Sequence, residues 1–155
     1  EEAVPDWVPP LWTANIAPEE ALLRLLVALV LCGMLGFERE LVGRAAGLRT
    51  HMLVGLAAAL LTIVAFEMFA YVRTLQTDPN ADPLRLIEAV TAGVAFLAAG
   101  SIFRQRDRVK GLTTGGGLWM AGAIGIAAGQ GLLGLAILAT VLGVIVIAVL
   151  RLVEP

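Results

Sequence analysis

Residues 20–55 read EALLRLLVALVLCGMLGFERELVGRAAGLRTHMLVG, an apolar run followed by a dense cluster of charges. The apolar run carries one charged residue after its first position, Arg24, and has about the length that a helix needs to cross a hydrocarbon core. The stretch from Glu38 to Arg49 then holds two glutamates and three arginines, each of which would be costly inside hydrocarbon. We therefore expect this cluster either to lie outside the membrane or to perform a function within it.

The composition indicates an integral membrane protein. Hydrophobic residues make up 59% of the 155 residues, charged residues make up 15%, and the mean hydropathy is +0.87. Because the apolar residues come in long blocks rather than alternating, we expect spanning helices and not the strands of an outer-membrane barrel. These blocks leave no room for a large soluble domain. The net charge of -2 gives no reason to expect a nucleic-acid partner.

The apolar blocks and the breaks between them predict an all-α fold, a polytopic bundle of five transmembrane helices. Four prolines within residues 1–18 exclude a long helix there, so this segment is predicted to be an extracytoplasmic, interfacial lead-in. Residues 19–155 are predicted to form the transmembrane domain. Two Asp-Pro pairs, a polar loop and the sequence GQG at 129–131 separate the later helices. The predicted spans are about 20–38, 50–72, 84–103, 112–129 and 132–151.

Local sequence predicts how three of these helices begin. Pro18 suits a first helical turn, and the acids Glu19 and Glu20 after it oppose the positive end of the helix dipole. Thr50 is predicted to cap the second span, because its hydroxyl can accept a hydrogen bond from an exposed amide. For the same reason we expect Thr113 or Thr114 to cap the fourth span.

The distribution of lysine and arginine predicts the orientation. Eight of these residues fall on one side of the membrane and three on the other, with all five acids of residues 1–20 on the cation-poor side. The N-terminus is therefore predicted to lie outside and the C-terminus in the cytoplasm, which places the quoted charge cluster in a cytoplasmic turn. The predicted inner cations are Arg39, Arg44, Arg49, Arg104, Arg106, Arg108, Lys110 and Arg151, and the outer ones are Arg24, Arg73 and Arg85.

The inner cations lie near two helix N-termini. Spans two and four both begin on the inner side, so the positive ends of their dipoles face the same compartment as the basic residues. Such a combination could hold an anion, a lipid phosphate or an acidic segment of a partner. The alternative is that these cations only set the topology. The charge pattern leaves both interpretations open.

Small residues recur at every fourth position of the fourth span, which predicts close helix packing. We expect the packing partner to be a helix of the same chain, because five helices must already pack together. A second copy of the chain is the alternative. The series begins at Thr113 and continues with the predicted packing residues Gly117, Ala121, Gly125 and Gly129.

Two acids, Glu67 and Glu88, fall near the outer ends of the second and third spans, at similar predicted depth. A pair of carboxylates there could bind a cation such as Mg²⁺, which prefers oxygen ligands. The alternative is that Arg73 and Arg85 neutralise these acids near the lipid headgroups. We expect no other metal or cofactor.

The sequence does not predict an enzyme. We find no nucleophile with a nearby base, no phosphate-binding glycine loop and no paired metal-ligand motif in it. Cys32 lies inside an apolar run and is expected to be a buried packing residue. His51 is the single histidine, and we expect it to be a hydrogen-bonded residue at the membrane interface.

Several motifs closely resemble the MgtC/SapB family of bacterial inner-membrane proteins. The first is GFERELVGRAAGLRTHMLV at residues 36–54, where the first helix ends in charges followed by Gly-x-Arg-Thr. The others are GVAFLAAGSIFR at 93–104, RVKGLTT at 108–114 and the small-residue run GAIGIAAG at 122–129. The resemblance extends over most of residues 22–150, and these motifs lie within it.

The resemblance implies a multi-pass protein of the bacterial inner (plasma) membrane, linked to growth at low Mg²⁺ and, in pathogens, to virulence. It further implies action through membrane partners such as the F-type ATP synthase rather than Mg²⁺ transport. Transport of Mg²⁺ or another cation, with Glu67 and Glu88 as an outer site and Glu38 near the inner exit, is the alternative. Many relatives also carry a soluble cytoplasmic domain after the fifth span.

The charge pattern and the resemblance together predict a functional cluster on the cytoplasmic side. Arg49 and Thr50 are expected to be essential, and Glu38 is expected to hold one of the arginines in position. The predicted cluster comprises Glu38, Arg39, Arg44, Gly47, Arg49, Thr50, Arg104, Arg108, Thr113 and Thr114.

Overall fold

The computed structural model describes residues 14–75, 82, 84–105 and 108–153. These residues form five α-helices and one two-stranded antiparallel sheet, so the chain is mostly helical, as predicted. Most of the predicted lead-in at 1–18 lies outside the described residues. The helices are α1 (Pro18–Leu41), α2 (Leu48–Leu75), α3 (Leu84–Gly100), α4 (Leu112–Gly129) and α5 (Leu133–Val153), and the strands are β1 (Phe103–Gln105) and β2 (Arg108–Lys110).

Two predicted helix ends agree with the structure. Helix α1 begins at Pro18, with Glu19 and Glu20 in its first turn. Helix α4 ends at Gly129, and Gly131 follows with a positive φ of 87°, a conformation that favours glycine. The break predicted at 129–131 is therefore confirmed.

The predicted threonine caps are wrong. Helix α2 begins at Leu48, and its amide is capped by the Oε2 atom of Glu40, which accepts a hydrogen bond from Leu48 N at 3.0 Å. Thr50 is already inside the helix and exposed. Helix α4 begins at Leu112 after Gly111, whose φ of 89° makes the turn into the helix without any side-chain cap. Thr113 and Thr114 therefore cap nothing.

The third helix ends earlier than predicted. The span was predicted to reach residue 103, but α3 stops at Gly100, where the N–H groups of Ser101 and Ile102 bond back to the carbonyls of residues 98 and 99. Phe103 then enters β1, which pairs with β2 in a hairpin. The polar loop predicted between the third and fourth helices thus contains two paired strands.

Helix α4 lies at the centre of the bundle and packs against each of the other four helices. Its glycines and alanines allow this, because small side chains let neighbouring backbones come close. Helix α2 lies parallel to α4, with Ala58 beside Gly125 and Thr62 beside Gly129, whereas α1 and α3 run antiparallel to it. The core therefore consists of helices that pack closely around the glycine and alanine positions of α4.

The outer surface of the bundle is strongly apolar. Large hydrophobic side chains are exposed on all five helices, for example Leu22, Leu53, Phe96, Trp119 and Leu138. Among the described residues, α1 and α2 are long and apolar enough to cross a membrane, judged by length and composition. Shorter apolar helices cover Ile87–Gly100 and Leu133–Val149. An apolar surface of this extent is typical of a protein in contact with lipid.

Candidate functional site

Two chain reversals meet at one end of the bundle. The loop at 42–47 joins α1 to α2, and the hairpin joins α3 to α4. Gly36 on α1 lies against the first residues of α2, where an added Cβ atom would be 2.8 Å from the Cα atom of Leu48. A Cβ atom added to Gly115 on α4 would lie 3.2 Å from the Ala98 carbonyl oxygen near the end of α3. We call this region the basic end, and its exposed cations among the described residues are Arg44, Arg49, Arg104, Arg108 and Lys110.

A buried arginine ties the two reversals together. Arg39, on the last turn of α1, is only 5% exposed, and its Nη2 atom donates a hydrogen bond to Oγ1 of Thr114 on α4 at 3.3 Å. The Nη1 atom lies 4.0 Å from Oε2 of Glu38, so the carboxylate stands beside this guanidinium. The Nε atom of Arg39 makes no hydrogen bond to any described residue. A buried charge with few partners is costly, which makes each remaining contact important for stability.

His51 lies next to this arginine in the interior. It is fully buried, its Nδ1 atom is 2.9 Å from the carbonyl oxygen of Gly47, and its Nε2 atom has no hydrogen-bond partner among the described residues. A Cβ atom added to Gly117 would lie 2.9 Å from this Nε2 atom, so the ring packs directly on the α4 backbone. The hydrogen bond expected for His51 is confirmed. Its depth at the membrane interface stays a prediction, because burial against α4 does not locate the residue relative to the membrane.

Gly47 leaves room for the carboxylate that caps α2. A side chain at this position would collide with Oε2 of Glu40, the atom that accepts the hydrogen bond from Leu48 N. Glu40 is therefore a contributor to the basic end that the sequence analysis missed. The sequence indicates this role only weakly, because Glu40 lies on α1 and the loop at 42–47 separates it from the start of α2 at Leu48.

The remaining predicted residues point outward. Arg44, Arg49, Thr50, Arg108 and Thr113 are all exposed. Their side chains form no hydrogen bond or ion pair with another described residue. The structure thus divides the predicted cluster into an inner part, in which Arg39, Gly47 and Thr114 are buried and Glu38 is half-buried, and an exposed part. Arg104, on β1, belongs to the exposed part.

The small-residue series on α4 lies against helices of the same chain. Gly117, Ala121, Gly125 and Gly129 are all buried, whereas Thr113 is exposed and outside this contact. A Cβ atom on Gly125 would collide with the Gly55 carbonyl on α2, and one on Gly129 would lie 2.5 Å from the Ala59 carbonyl. Cys32 of α1 is fully buried opposite the series, with its Sγ atom 3.4 Å from the Ala121 carbonyl oxygen.

The two outer acids do not share an environment. The Glu67 carboxylate accepts hydrogen bonds from Asn15 N, Asn15 Nδ2 and Ile16 N at 2.6, 3.0 and 3.0 Å. Glu88 is exposed. Neither acid forms the predicted ion pair with Arg73 or Arg85 in the described part of the chain, and Arg73 instead lies over the ring of Phe69. No group of three or more potential metal ligands occurs among the described residues.

Comparisons with known proteins give consistent matches. A family model described as the MgtC family matches residues 25–155. The protein named "Putative magnesium transporter YhiD" from Escherichia coli K12 is 39% identical over 130 residues, which are 84% of this chain and 60% of the relative. "Protein MgtC" from Brucella abortus (strain 2308) is 39% identical over 124 residues, which are 80% of this chain and 48% of the relative.

A further relative from Haemophilus influenzae, named only as an uncharacterized protein, is 35% identical over 135 residues, with 85% of this chain and 57% of the relative covered. The chain therefore spans about half to three fifths of the length of these curated relatives. No solved structure matches the chain significantly.

Proposed function

The chain belongs to the MgtC family, and on this premise we propose that it is a five-span protein of the bacterial inner membrane that serves adaptation to low Mg²⁺. It has no enzymatic activity of its own in this proposal and acts through contacts between its basic end and other membrane components. One observation carries the proposal: two separate segments present exposed cations at one end of the bundle, while buried Arg39 joins the helices beneath them.

The apolar surface supports five spans. Helices α3 and α4 have 17 and 18 residues, or about 26 Å at 1.5 Å per residue, which is close to the thickness of a hydrocarbon core. All five helices expose large apolar side chains that lipid would cover. The excess of arginine and lysine at the basic end supports its cytoplasmic location, with the N-terminus outside.

The exposed cations are suited to recognition. Arg44 lies in the loop between α1 and α2, Arg49 on the first turn of α2, and Arg108 and Lys110 on β2. The basic end thus combines these four exposed positive charges from two segments of the chain. Fixed charges of one sign attract anionic partners and steer their approach. The tight helix packing beneath keeps these segments in place. In this proposal the buried residues of the basic end act as supports, and the exposed ones make contact.

The family suggests the process and the partner. The name of one relative connects the family with magnesium, and the resemblance points to the F-type ATP synthase as a membrane partner and to virulence in pathogens. The relatives are longer than this chain, which covers 60% and 48% of two of them. For this chain we expect the link to magnesium and the contact with a membrane partner to depend on the exposed cations of the basic end.

The proposal is tested by growth at low Mg²⁺ in a bacterial strain that depends on a family member. We expect Arg49→Ala, on the exposed first turn of α2, to lose most of the growth support. Arg73→Ala is the matched control, because it removes an exposed arginine from the other end of the same helix and should grow normally. The proposal fails if Arg49→Ala is present in the membrane at the normal level and supports full growth.

Cation transport is the second candidate, and it is favoured by the name of one relative, which describes that relative as a magnesium transporter. Glu88 would be the entry ligand, because its exposed carboxylate is available, whereas that of Glu67 already accepts three N–H groups. Purified protein in liposomes separates the candidates. Mg²⁺ flux that Glu88→Gln abolishes would favour transport, and absence of flux in well-inserted protein would remove it.

A further inference from the structure

The β-hairpin between α3 and α4 carries both apolar and basic side chains on its surface. All six strand residues are exposed. The register pairs Phe103 with Lys110, Arg104 with Val109 and Gln105 with Arg108. Paired residues point to the same face of an antiparallel ladder, so each face presents one apolar side chain and at least one cation.

From this arrangement we propose that the hairpin is a binding site for anionic phospholipid headgroups. The inference rests on the proposed function in one respect, that the hairpin lies at the cytoplasmic membrane surface. Phe103 contacts the boundary of the acyl chains, and Arg108 and Lys110, on the same face of the ladder, bind the headgroup phosphate. The hairpin thus binds lipid in this proposal, whereas Arg44 and Arg49 at the other reversal bind a protein partner.

The depth of the hairpin supports this assignment. Phe103 is the third residue after α3 ends at Gly100, a distance of at most about 10 Å along an extended chain. The headgroup region on each side of a bilayer is about 5–8 Å thick. The base of the hairpin therefore lies at headgroup level if α3 and α4 cross the membrane.

Apolar exposure distinguishes a lipid surface from an acidic protein segment. Phe103 is 54% exposed, and Leu112 at the start of α4 is 61% exposed. An aqueous acidic peptide would pair with the cations and leave these apolar groups in water. At a membrane surface the apolar groups enter the acyl boundary while the long cationic side chains extend to the phosphates. The side chains of Arg108 and Lys110 form no ion pair with another described residue.

Lipid binding to the purified protein tests the proposal. Phosphatidylglycerol and phosphatidylcholine with identical acyl chains are titrated into protein in a mild detergent, and bound lipid is counted by native mass spectrometry. We expect preferential binding of phosphatidylglycerol. The double substitution Arg108→Gln with Lys110→Gln should weaken that binding about 30-fold, since each basic residue near an anionic surface contributes about 1 kcal/mol.

The matched control is Arg73→Gln with Arg85→Gln, which removes the same charge from exposed positions outside the basic end and should bind phosphatidylglycerol normally. Salt gives a second measurement on the unaltered protein: 0.5 M NaCl should weaken phosphatidylglycerol binding and leave phosphatidylcholine binding unchanged.

Equal binding of the two lipids, or normal phosphatidylglycerol binding by the hairpin variant, would overturn the proposal. Preferential binding of hexaglutamate peptide instead would assign the hairpin to an acidic protein partner and would also overturn it. None of these outcomes depends on growth at low Mg²⁺. The lipid site and the proposed function can therefore fail separately.

Discussion

At the scale of single residues, the main finding is that two arginines of the same charge cluster differ in burial. Arg39 and Arg49 look equivalent in the sequence, yet Arg39 is buried and bonded to Thr114 while Arg49 is exposed. Charge counts predict the side of the membrane on which an arginine lies, but they do not predict whether it points into the bundle. Whether an arginine is buried depends on which helices pack against it. The neighbouring residues in the sequence do not reveal that packing.

Thr114→Val tests the role of the buried arginine. Valine has nearly the same shape but cannot accept the hydrogen bond from Arg39, so a buried charge loses a partner. We expect the free energy of unfolding to fall by about 1–3 kcal/mol. The change is measured by unfolding the protein, solubilised in a mild detergent, while tryptophan fluorescence is recorded.

The adjacent residue supplies the control for this substitution. Thr113 is exposed, and Thr113→Val should change the free energy of unfolding by no more than about 0.5 kcal/mol. Thr114→Ser retains a hydroxyl group and should recover part of the lost stability. Equal effects at positions 113 and 114 would contradict a structural role for the Arg39 contact.

At the scale of helices, the bounds followed from sequence better than the caps did. Helix α4 was predicted at 112–129 and is observed there, because GQG at 129–131 interrupts the helix within the sequence itself. The cap of α2 was missed, since Glu40 reaches Leu48 across a turn. The end of α3 was missed because Ile102 and Phe103 are ordinary apolar residues that would also suit a helix. The helix nevertheless ends at Gly100, and Phe103 begins β1.

Gly125→Ala tests the close packing of α2 and α4. An added methyl group would collide with the backbone carbonyl of Gly55, which cannot move like a flexible side chain, so the two helices must separate. We expect destabilisation by about 1–3 kcal/mol in the same unfolding measurement.

Gly116→Ala is the control on the same helix. Apart from the neighbouring residues and backbone of α4 itself, no atom lies within 4 Å of a Cβ atom at this position, so the substitution should be neutral or stabilising by about 0.5–1 kcal/mol through higher helix propensity. If Gly116→Ala destabilised the protein as strongly as Gly125→Ala, glycine would matter in α4 for a reason other than contact with α2.

At the scale of the whole molecule, the two ends of the bundle differ. The basic end joins two reversals through buried Arg39 and presents exposed cations. At the other end, the Glu67 carboxylate binds the segment before α1 through Asn15 and Ile16, and Arg24 donates a hydrogen bond to the Gly129 carbonyl. The sequence predicted the number of helices and the charge asymmetry. The hydrogen bonds of Glu67 connect residues more than fifty positions apart and had no local signal.

The central claim is that the basic end forms the cytoplasmic face of a membrane-spanning bundle, and cysteine labelling from outside the cell tests it most directly. Cys32 is fully buried and should contribute little background. Arg44→Cys and Val109→Cys probe the two reversals of the basic end, and Thr74→Cys probes the opposite end of α2. A membrane-impermeant maleimide should label Thr74→Cys in intact spheroplasts, and label the other two variants only after permeabilisation. Labelling of Arg44→Cys or Val109→Cys in intact spheroplasts would contradict the account.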